Sequence, residues 1–394
     1  MKKITTLIAL ALLACTAPAH AAEFLYGEQT KGVTVTAAGS DMTFRVRLQP
    51  RLDYGDIIKS KDGKTYTSES DIYFRRARIE FGGDLVSRTI RYKVELSADK
   101  WEKAGTATTV SLYNAWALWQ GSDAYNIIVG KEKLPYSRVS LTTDSQSLLI
   151  EGPVSAEDAK KVFGKTDAYY QPKAGVRGRL LKGIIGYEVA FADGWSSGEV
   201  IHAAPARTVY RSGILTVARV ELSPPGLAED KKSDAHLGQG SHLTLGINAA
   251  RQGGIEYDTA VANKETRTLR GLDLSGHYKG FTMQFEWNEW KIDSTDPGVS
   301  GITPRGWYAQ AGWFIDSKGL NIEPVGRYES YNQDSHSVGR GEVDTTVGLN
   351  WYLKGHSLKA GVNWVHTRYG GNAAGRLAND NSKDVLQVQA QLYL

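Results

Sequence analysis

The sequence predicts an all-β protein: a transmembrane antiparallel β-barrel of 16 strands, with long outer loops and short periplasmic turns. Three observations support this prediction: segments in which apolar and polar side chains alternate, long and short connections that alternate between them, and an N-terminal export signal. The chain has 394 residues, and after the N-terminus no stretch approaches the ~18 apolar residues of a membrane-spanning helix. A helical membrane protein is therefore excluded.

The N-terminus has the features of a secretory signal peptide, which we predict over residues 1–21. Lys2 and Lys3 precede an apolar run over residues 4–14, and Ala19 and Ala21 supply the small residues of a cleavage site. The single Cys15 leaves a lipoprotein signal open as an alternative. We expect a periplasmic segment over residues 22–41 and the barrel over residues 42–394.

The strand prediction depends on a side-chain period of two. The segment at 44–49, for example, alternates three apolar with three polar side chains, and this period places successive side chains on opposite faces of a sheet. Sixteen such segments begin near residues 43, 72, 91, 110, 125, 173, 184, 214, 242, 269, 281, 305, 319, 343, 357 and 385.

The connections between these segments alternate between short and long, as they do in outer-membrane barrels. The longest connection, predicted over residues 138–172, is the third outer loop. Residues 223–241, which include Pro224 and Pro225, form a long insert where a short turn is due, and the sequence gives no reason for it.

A closed sheet in lipid explains these patterns better than a soluble β-sandwich. Hydrocarbon requires every backbone group to be paired, and a barrel has no unpaired edge. The polar faces carry more charges than a sandwich core could bury. Eight aromatic residues are predicted near strand ends as interfacial girdles: Tyr54, Trp119, Trp287, Trp290, Trp307, Trp313, Trp351 and Trp364. Sixteen strands also enclose a bore wide enough for water.

Alternation places a strong excess of basic side chains on the inner face of the first six strands. They are Arg45, Arg47, Arg51, Arg76, Arg78, Arg91, Lys93, Lys131, Lys133, Arg177 and Arg179, against the acidic Asp53, Glu80 and Glu95. Within this set we predict an anion pathway formed by Arg45, Arg47, Arg51, Arg76, Arg78, Lys93, Lys131, Lys133, Arg177 and Arg179. Arginine forks suit oxyanions because they offer paired N–H donors. The alternative is that these cations pair with carboxylates and only stiffen the wall.

Two arginines in this set face the same way only two residues apart. Arg76 and Arg78 would repel each other unless an anion or a carboxylate lies between them. The sequence offers Glu80 as that carboxylate.

Several motifs resemble those of the phosphate-selective porin O and P family. They are Arg75-Arg76-Ala77-Arg78-Ile79, Gly130-Lys131-Glu132-Lys133-Leu134-Pro135-Tyr136-Ser137, residues 187–194 and residues 348–353. The resemblance implies a trimeric, 16-stranded outer-membrane porin of a Gram-negative bacterium, with anions passing along lumenal arginines and lysines and the third loop folded inward to narrow the pore. The sequence departs from the family pattern at Asn114 and Gly152, and it has Glu132 where an apolar outward residue is expected.

These observations predict a water-filled channel for passive diffusion of small anions, with phosphate-like oxyanions as the expected class. The expected partners are small anions, outer-membrane lipid and two further copies of the chain. A weakly selective general diffusion porin remains an alternative. A second alternative is an outer-membrane hydrolase that uses Ser196 in Gly194-Trp195-Ser196-Ser197-Gly198, although no helix is predicted after this motif.

No cofactor, metal site or nucleic-acid partner is predicted. The eight histidines form no metal-binding motif. Without Lys2 and Lys3, the basic side chains fall from 47 to 45 against 43 acidic ones, so the bulk charge does not indicate a nucleic-acid-binding protein.

Overall fold

The computed structural model describes residues 32–394 except 38, 62–63, 87, 104–105, 107, 160–161, 165–168, 202–206, 230, 259–263, 296–300, 318, 336 and 373–380. The signal peptide predicted over residues 1–21 lies outside the described residues. In the segment predicted over residues 22–41, the described part contains a strand that pairs with the first barrel strand. No helix among the described residues is long and apolar enough to cross a membrane.

The described residues form twenty strands. They are β1 (Val33–Ala37), β2 (Ser40–Lys61), β3 (Lys64–Leu85), β4 (Ile90–Ser97), β5 (Ser111–Gln120), β6 (Asn126–Lys133), β7 (Tyr170–Leu180), β8 (Ile185–Ala192), β9 (Val200–Ile201), β10 (Arg207–Arg211), β11 (Leu215–Leu222), β12 (Ser241–Tyr257), β13 (Lys264–Tyr278), β14 (Phe281–Ser294), β15 (Arg305–Trp313), β16 (Ile315–Ser317), β17 (Leu320–Asn332), β18 (Gly341–Lys354), β19 (Leu358–Tyr369) and β20 (Ser382–Tyr393).

Sixteen of these strands, all except β1, β9, β10 and β16, close into one antiparallel barrel. Closure occurs at β2, which pairs with β3 on one side and with β20 on the other. The predicted fold class and strand number are confirmed, and the observed strand starts lie close to the predicted ones. The first outer connection is much shorter than predicted, because β2 runs to Lys61 and β3 begins at Lys64.

Alternating burial along the strands separates a lipid-compatible outside from a polar inside. In β12, Leu243, Leu245 and Ile247 are exposed on the outer face, whereas Thr244 and Asn248 are buried inside. An apolar outer face and a polar inner face are what a barrel in a membrane requires.

Seven of the eight aromatic residues predicted for the girdle lie on the outer face. Tyr54, Trp119, Trp313, Trp351 and Trp364 are exposed, and Trp287 and Trp307 are partly exposed. Trp290 was assigned wrongly: it is only 1% exposed and lies inside the barrel, because its position in β14 has inward parity.

The short connections gather at one end of the barrel, which faces the periplasm in proteins of this architecture. The β13–β14 turn consists of Lys279 and Gly280, whose φ angles are 47° and 86°. Two successive positive φ values are typical of a two-residue turn that matches the right-handed twist of its strands.

Two connections fold into the barrel instead of away from it. The third loop, residues 134–169, links β6 to β7 and contains α1 (Arg138–Leu141), a 3-10 turn (Asp144–Gln146) and α2 (Val154–Ala159). It is shifted from the predicted 138–172 because β7 begins at Tyr170. The periplasmic insert, residues 223–240, links β11 to β12.

Two apolar clusters hold these connections against the inner wall. The first joins the third loop to β8, β11, β12, β13 and β14 through Leu134, Tyr136, Val162, Phe163, Ala190, Ala192, Leu215, Val217, Ala250, Leu269 and Trp290. The second joins the third loop, the insert, β17 and β18 through Leu148, Leu149, Ala235, Val325 and Tyr352. The barrel interior is therefore partly a packed core.

Candidate functional site

A β-bulge brings one more arginine into the barrel than alternation predicts. In the β2–β3 pair Gln49 lies opposite Arg76 and Pro50 lies opposite Phe74, so Arg75 is the extra residue. Arg75 and Arg76 are both buried as a result. The sequence signal for this bulge was Pro50, which cannot donate a ladder hydrogen bond.

The third loop places Glu151 between arginines of β2 and β3. Glu151 accepts two hydrogen bonds from Arg75, with Nε–Oε1 and Nη2–Oε2 distances of 2.6 and 2.9 Å, and a further one from Arg51 Nη1. Arg51 Nε also donates to Asp53 at 2.6 Å. Burial alone would raise the pKa of Glu151, but Arg75 and Arg51 hold that pKa well below its usual value.

A second carboxylate of the third loop lies between Arg76 and Arg78. Asp144 Oδ2 is 3.1 Å from Arg76 Nε and 3.3 Å from Arg78 Nη1. The suggestion that Glu80 fills this place is wrong, because Glu80 lies one step nearer the periplasm and contacts other cations. Burial acts to raise the pKa of Asp144, but Arg76 and Arg78 outweigh it and hold that pKa far below its usual value.

Most of the remaining cations of the basic wall are also paired. Arg45 and Lys93 each lie 2.7 Å from Glu80, and Arg47 lies 2.9 Å from Glu95. Arg78 makes a bidentate ion pair with Asp99. Its guanidinium group also stacks on the Tyr113 ring, with Cζ 3.8 Å from the ring centroid. Asn114, a departure from the family pattern, donates to Glu95 Oε2 at 2.7 Å. The predicted excess of eleven cations over three carboxylates is therefore largely compensated, mainly by acidic residues that lie outside the counted strand positions.

A cavity of about 2170 Å³ opens at the end of the short turns. The third loop forms its inner floor and the periplasmic insert forms part of its wall. Its lining carries ten basic and eight acidic side chains, a modest basic excess. Five residues of the predicted pathway line it: Arg45, Lys93, Lys133, Arg177 and Arg179.

Two of these cations have no ion pair with another described residue. The ammonium group of Lys133 donates to the backbone carbonyls of Leu141 and Thr142, and Arg177 lines the cavity beside the turn that follows β7. Arg179 donates to the carbonyl of Glu229. Lys133 and Arg177 are therefore cavity-lining residues of the predicted pathway whose charge no described carboxylate neutralises through an ion pair.

The assignment of Lys131 to the pathway is wrong. Lys131 lies opposite Ala115 and Pro172 on the outer face, and its ammonium group donates to the carbonyl of Leu112 at 2.7 Å. Three successive apolar residues at 127–129 concealed which parity of β6 faces the lumen. Glu132, expected outside, instead faces inward and pairs with Lys173.

The periplasmic insert, which the sequence left unexplained, supports the third loop from below. The backbone N–H groups of Asp234 and Ala235 donate to the carbonyl of Gln146 at 3.1 and 2.9 Å. Asp234 Oδ1 accepts a hydrogen bond from Gln284 at 2.6 Å. No sequence motif predicts that the insert supports the third loop. The only signal in the sequence is the unusual length of this connection.

A buried ion pair joins the two connections directly. Arg138 of the third loop donates to Glu229 of the insert through Nη1–Oε2 and Nη2–Oε1, at 2.6 and 3.0 Å, and to the carbonyl of Ser233 at 2.8 Å. Only 1% of the Arg138 side chain and 5% of the Glu229 side chain is exposed.

The Gly194–Gly198 motif lacks the surroundings of a nucleophile elbow. Strand β9 follows it, where an elbow would have a helix. The backbone N–H of Ser196 donates to Glu199, and the Ser197 hydroxyl donates to the carbonyl of Tyr210. These contacts are those of an outer loop.

A closed 16-stranded barrel with an apolar outside, a charged inside and an inward-folded third loop defines an outer-membrane porin. The comparisons with known proteins agree. Residues 44–394 match the family "Phosphate-selective porin O and P", and the chain belongs to this family. It is a protein of the bacterial outer membrane.

The chain is 31% identical over 375 residues to an uncharacterized protein of Aquifex aeolicus. The alignment covers 89% of this chain and 86% of the Aquifex protein. Solved structures share the fold at low identity. The anion-selective porin of Comamonas acidovorans gives a TM-score of 0.62 at 12% identity, covering 90% of this chain and 100% of the other. OmpT of Vibrio cholerae in a trimer form gives 0.57 at 8% identity, covering 90% and 99%. The channel DcaP of Acinetobacter baumannii gives 0.57 at 10% identity, covering 92% and 99%.

Proposed function

We propose that this porin is a passive channel for small anions, including phosphate-like oxyanions, and that it works as a homotrimer. The observation that supports anion preference best is the position of Lys133 and Arg177, which line the periplasmic cavity without an ion pair to another described residue. Fixed cations in a narrow water-filled passage raise the local concentration of anions. The family description and the anion-selective Comamonas porin support the same choice of ion.

The carboxylates of the third loop keep this preference moderate. Glu151 and Asp144 occupy the guanidinium groups that would otherwise hold an anion tightly. A permeating ion must leave as readily as it enters, so partly neutralised arginines favour throughput over capture. Trimer formation is supported by the trimer form of the Vibrio cholerae OmpT.

The test is the reversal potential of the purified protein in planar bilayers across a KCl gradient, repeated with potassium phosphate. We expect anions to permeate more readily than cations, and voltage-induced closure in three equal steps. Lys133→Gln and Arg177→Gln should each lower the anion-to-cation permeability ratio roughly twofold, because each removes a cation from the passage.

Lys131→Gln is the matched control: it removes the same charge from the same strand, but from the outer face. Equal permeability of anions and cations in the unmodified protein would reject the proposal in favour of a general diffusion porin. So would equal effects of Lys131→Gln and Lys133→Gln. Closure in a single step would reject the trimer.

A further inference from the structure

Three histidines converge where the periplasmic insert meets the barrel wall. His242 of β12 lies directly opposite His277 of β13, and both are buried. His236 comes from the insert and stacks on His277, with ring centroids 3.6 Å apart. One ring nitrogen of each histidine lies within 4.8 Å of those of the other two.

In two of these rings, the nitrogen that points away from the cluster has a partner. This contact fixes the direction of the other ring nitrogen, which faces the cluster. His277 Nε2 lies 2.7 Å from the carbonyl oxygen of Gln239, which can only accept, so Nε2 carries the proton and Nδ1 of the neutral ring carries a lone pair. His242 Nε2 lies 3.1 Å from the Ser275 hydroxyl, and its Nδ1 faces Nδ1 of His277. Metal-ligating histidines usually have this arrangement, in which the second ring nitrogen donates to a fixed acceptor.

The third ring differs, because one of its nitrogens lacks a hydrogen-bond partner in the part of the chain that the structure describes. His236 Nε2 is buried and has no hydrogen-bond partner among the described residues. Glu229 Oε1 lies 3.6 Å from this nitrogen, and Glu229 is already bound by Arg138. An unpartnered buried nitrogen is costly, and a bound cation would remove that cost.

We propose that His236, His242 and His277 form a binding site for a divalent transition-metal ion of the zinc class. Three imidazole ligands suit Zn²⁺, Ni²⁺ or Cu²⁺, and they do not suit Mg²⁺ or Ca²⁺, which prefer oxygen. All three side chains line the periplasmic cavity, which supplies a route of entry for the ion. Binding requires the His236 ring to turn out of its stack on His277, because a metal ion lies in the plane of each imidazole that ligates it. The bound ion ties the insert to β12 and β13.

The test is Zn²⁺ binding to the full mature chain, purified without a histidine tag and measured by calorimetry in detergent. We expect one ion per chain. Because the loss of an outer partner already costs 10- to 100-fold in affinity, His236→Gln and His277→Gln should each weaken binding by more than about 100-fold. Co²⁺ should give the visible absorption of a tetrahedral ion.

His366→Gln is the matched control, since His366 lies on β19 with Nδ1 3.0 Å from Asp384. Heat-dependent gel mobility confirms that each barrel is folded, and His236 lies outside the strands, so His236→Gln tests the proposal even if His277→Gln misfolds. Binding that His236→Gln leaves unchanged, or that His366→Gln weakens equally, would overturn the site. Less than one ion per chain in the unmodified protein would do the same. None of these outcomes bears on ion selectivity, which is measured separately.

Discussion

The third loop and the periplasmic insert enter the same barrel from opposite ends, and their buried aspartates meet opposite surroundings. The third loop carries ionised Asp144 and Glu151 to a wall of arginines. The insert carries Asp234 to neutral amides, including Gln284. From this comparison we propose that the third loop sets the charge of the passage, while the insert holds the loop in place.

The largest expected effect comes from separating the two connections at Arg138 and Glu229. Glu229→Leu leaves the Arg138 guanidinium buried without its carboxylate, and breaking a buried ion pair in this way costs about 3–5 kcal/mol. We expect the loss as local opening, so hydrogen exchange should rise in peptides from residues 134–151 and 223–240 while the strands stay protected.

The double variant Arg138→Met with Glu229→Leu separates two effects: the loss of the ion pair, and the cost of leaving the Arg138 charge buried without a partner. It should be less destabilised than Glu229→Leu alone, because both charges are gone. If exchange in the third loop is the same in all three proteins, the insert does not support the loop.

The barrel could be predicted from sequence because a side-chain period of two is set locally in each strand. What escaped prediction depends on contacts distant in sequence. Arg75 faces inward because of a bulge against Pro50, and the parity of Lys131 is fixed only by its register with Ala115. Asp144 reaches Arg76 across 68 positions of the chain, and no strand pattern records such a contact.

For the same reason the sequence predicted the cations of the candidate site but not most of the carboxylates that pair with them. Parity identified Arg76, Arg78 and most of the other inward cations correctly. Glu80 and Glu95 lie on strands and were counted, but Asp99, Asp144 and Glu151 lie on loops, where alternation carries no information.

The second expected effect follows from the charge of the third loop. Asp144→Asn removes the carboxylate between Arg76 and Arg78 and leaves uncompensated positive charge, since Asp144 is the partly exposed member of the trio. We expect the anion-to-cation permeability ratio to rise about fivefold, which corresponds to ~1 kcal/mol of added attraction. Reversal potentials in KCl gradients measure it.

Asp316→Asn is the control, because it removes the same charge from an exposed position on β16. A ratio that stays unchanged in Asp144→Asn would mean that permeating ions do not sense Arg76 and Arg78. In that case the third loop would not set the charge of the passage.

The smallest expected effect is a difference in pH response between the two connections. Burial raises the pKa of Asp234, with Arg138 opposing and Glu229 reinforcing the shift. The pKa of Asp144 is held far below its usual value despite burial. Because the pKa of Asp234 is raised in the folded state, lowering the pH stabilises that state. The gain begins as the pH approaches the folded pKa and is complete at the unfolded pKa of about 3.9. Because the pKa of Asp144 is depressed, its contribution to stability is fully present above a pH of about 3.9 and is lost as the pH falls below that value.

His236, in the same stretch of the insert, has a pKa lowered by burial, so its protonation opposes that of Asp234 as the pH falls. Lowering the pH from 7 to about 4 should therefore change the hydrogen-exchange protection of residues 231–237 more favourably in the unmodified protein than in Asp234→Asn, and should leave that of residues 138–151 unchanged, after correction for intrinsic rates. Below about pH 4 the third loop should lose protection. Asp144→Asn should reduce this loss but not remove it, because Glu151 in the same loop also has a depressed pKa. If both regions respond together in both variants, the two connections behave as one cooperative unit, and their opposite electrostatics has no separate consequence.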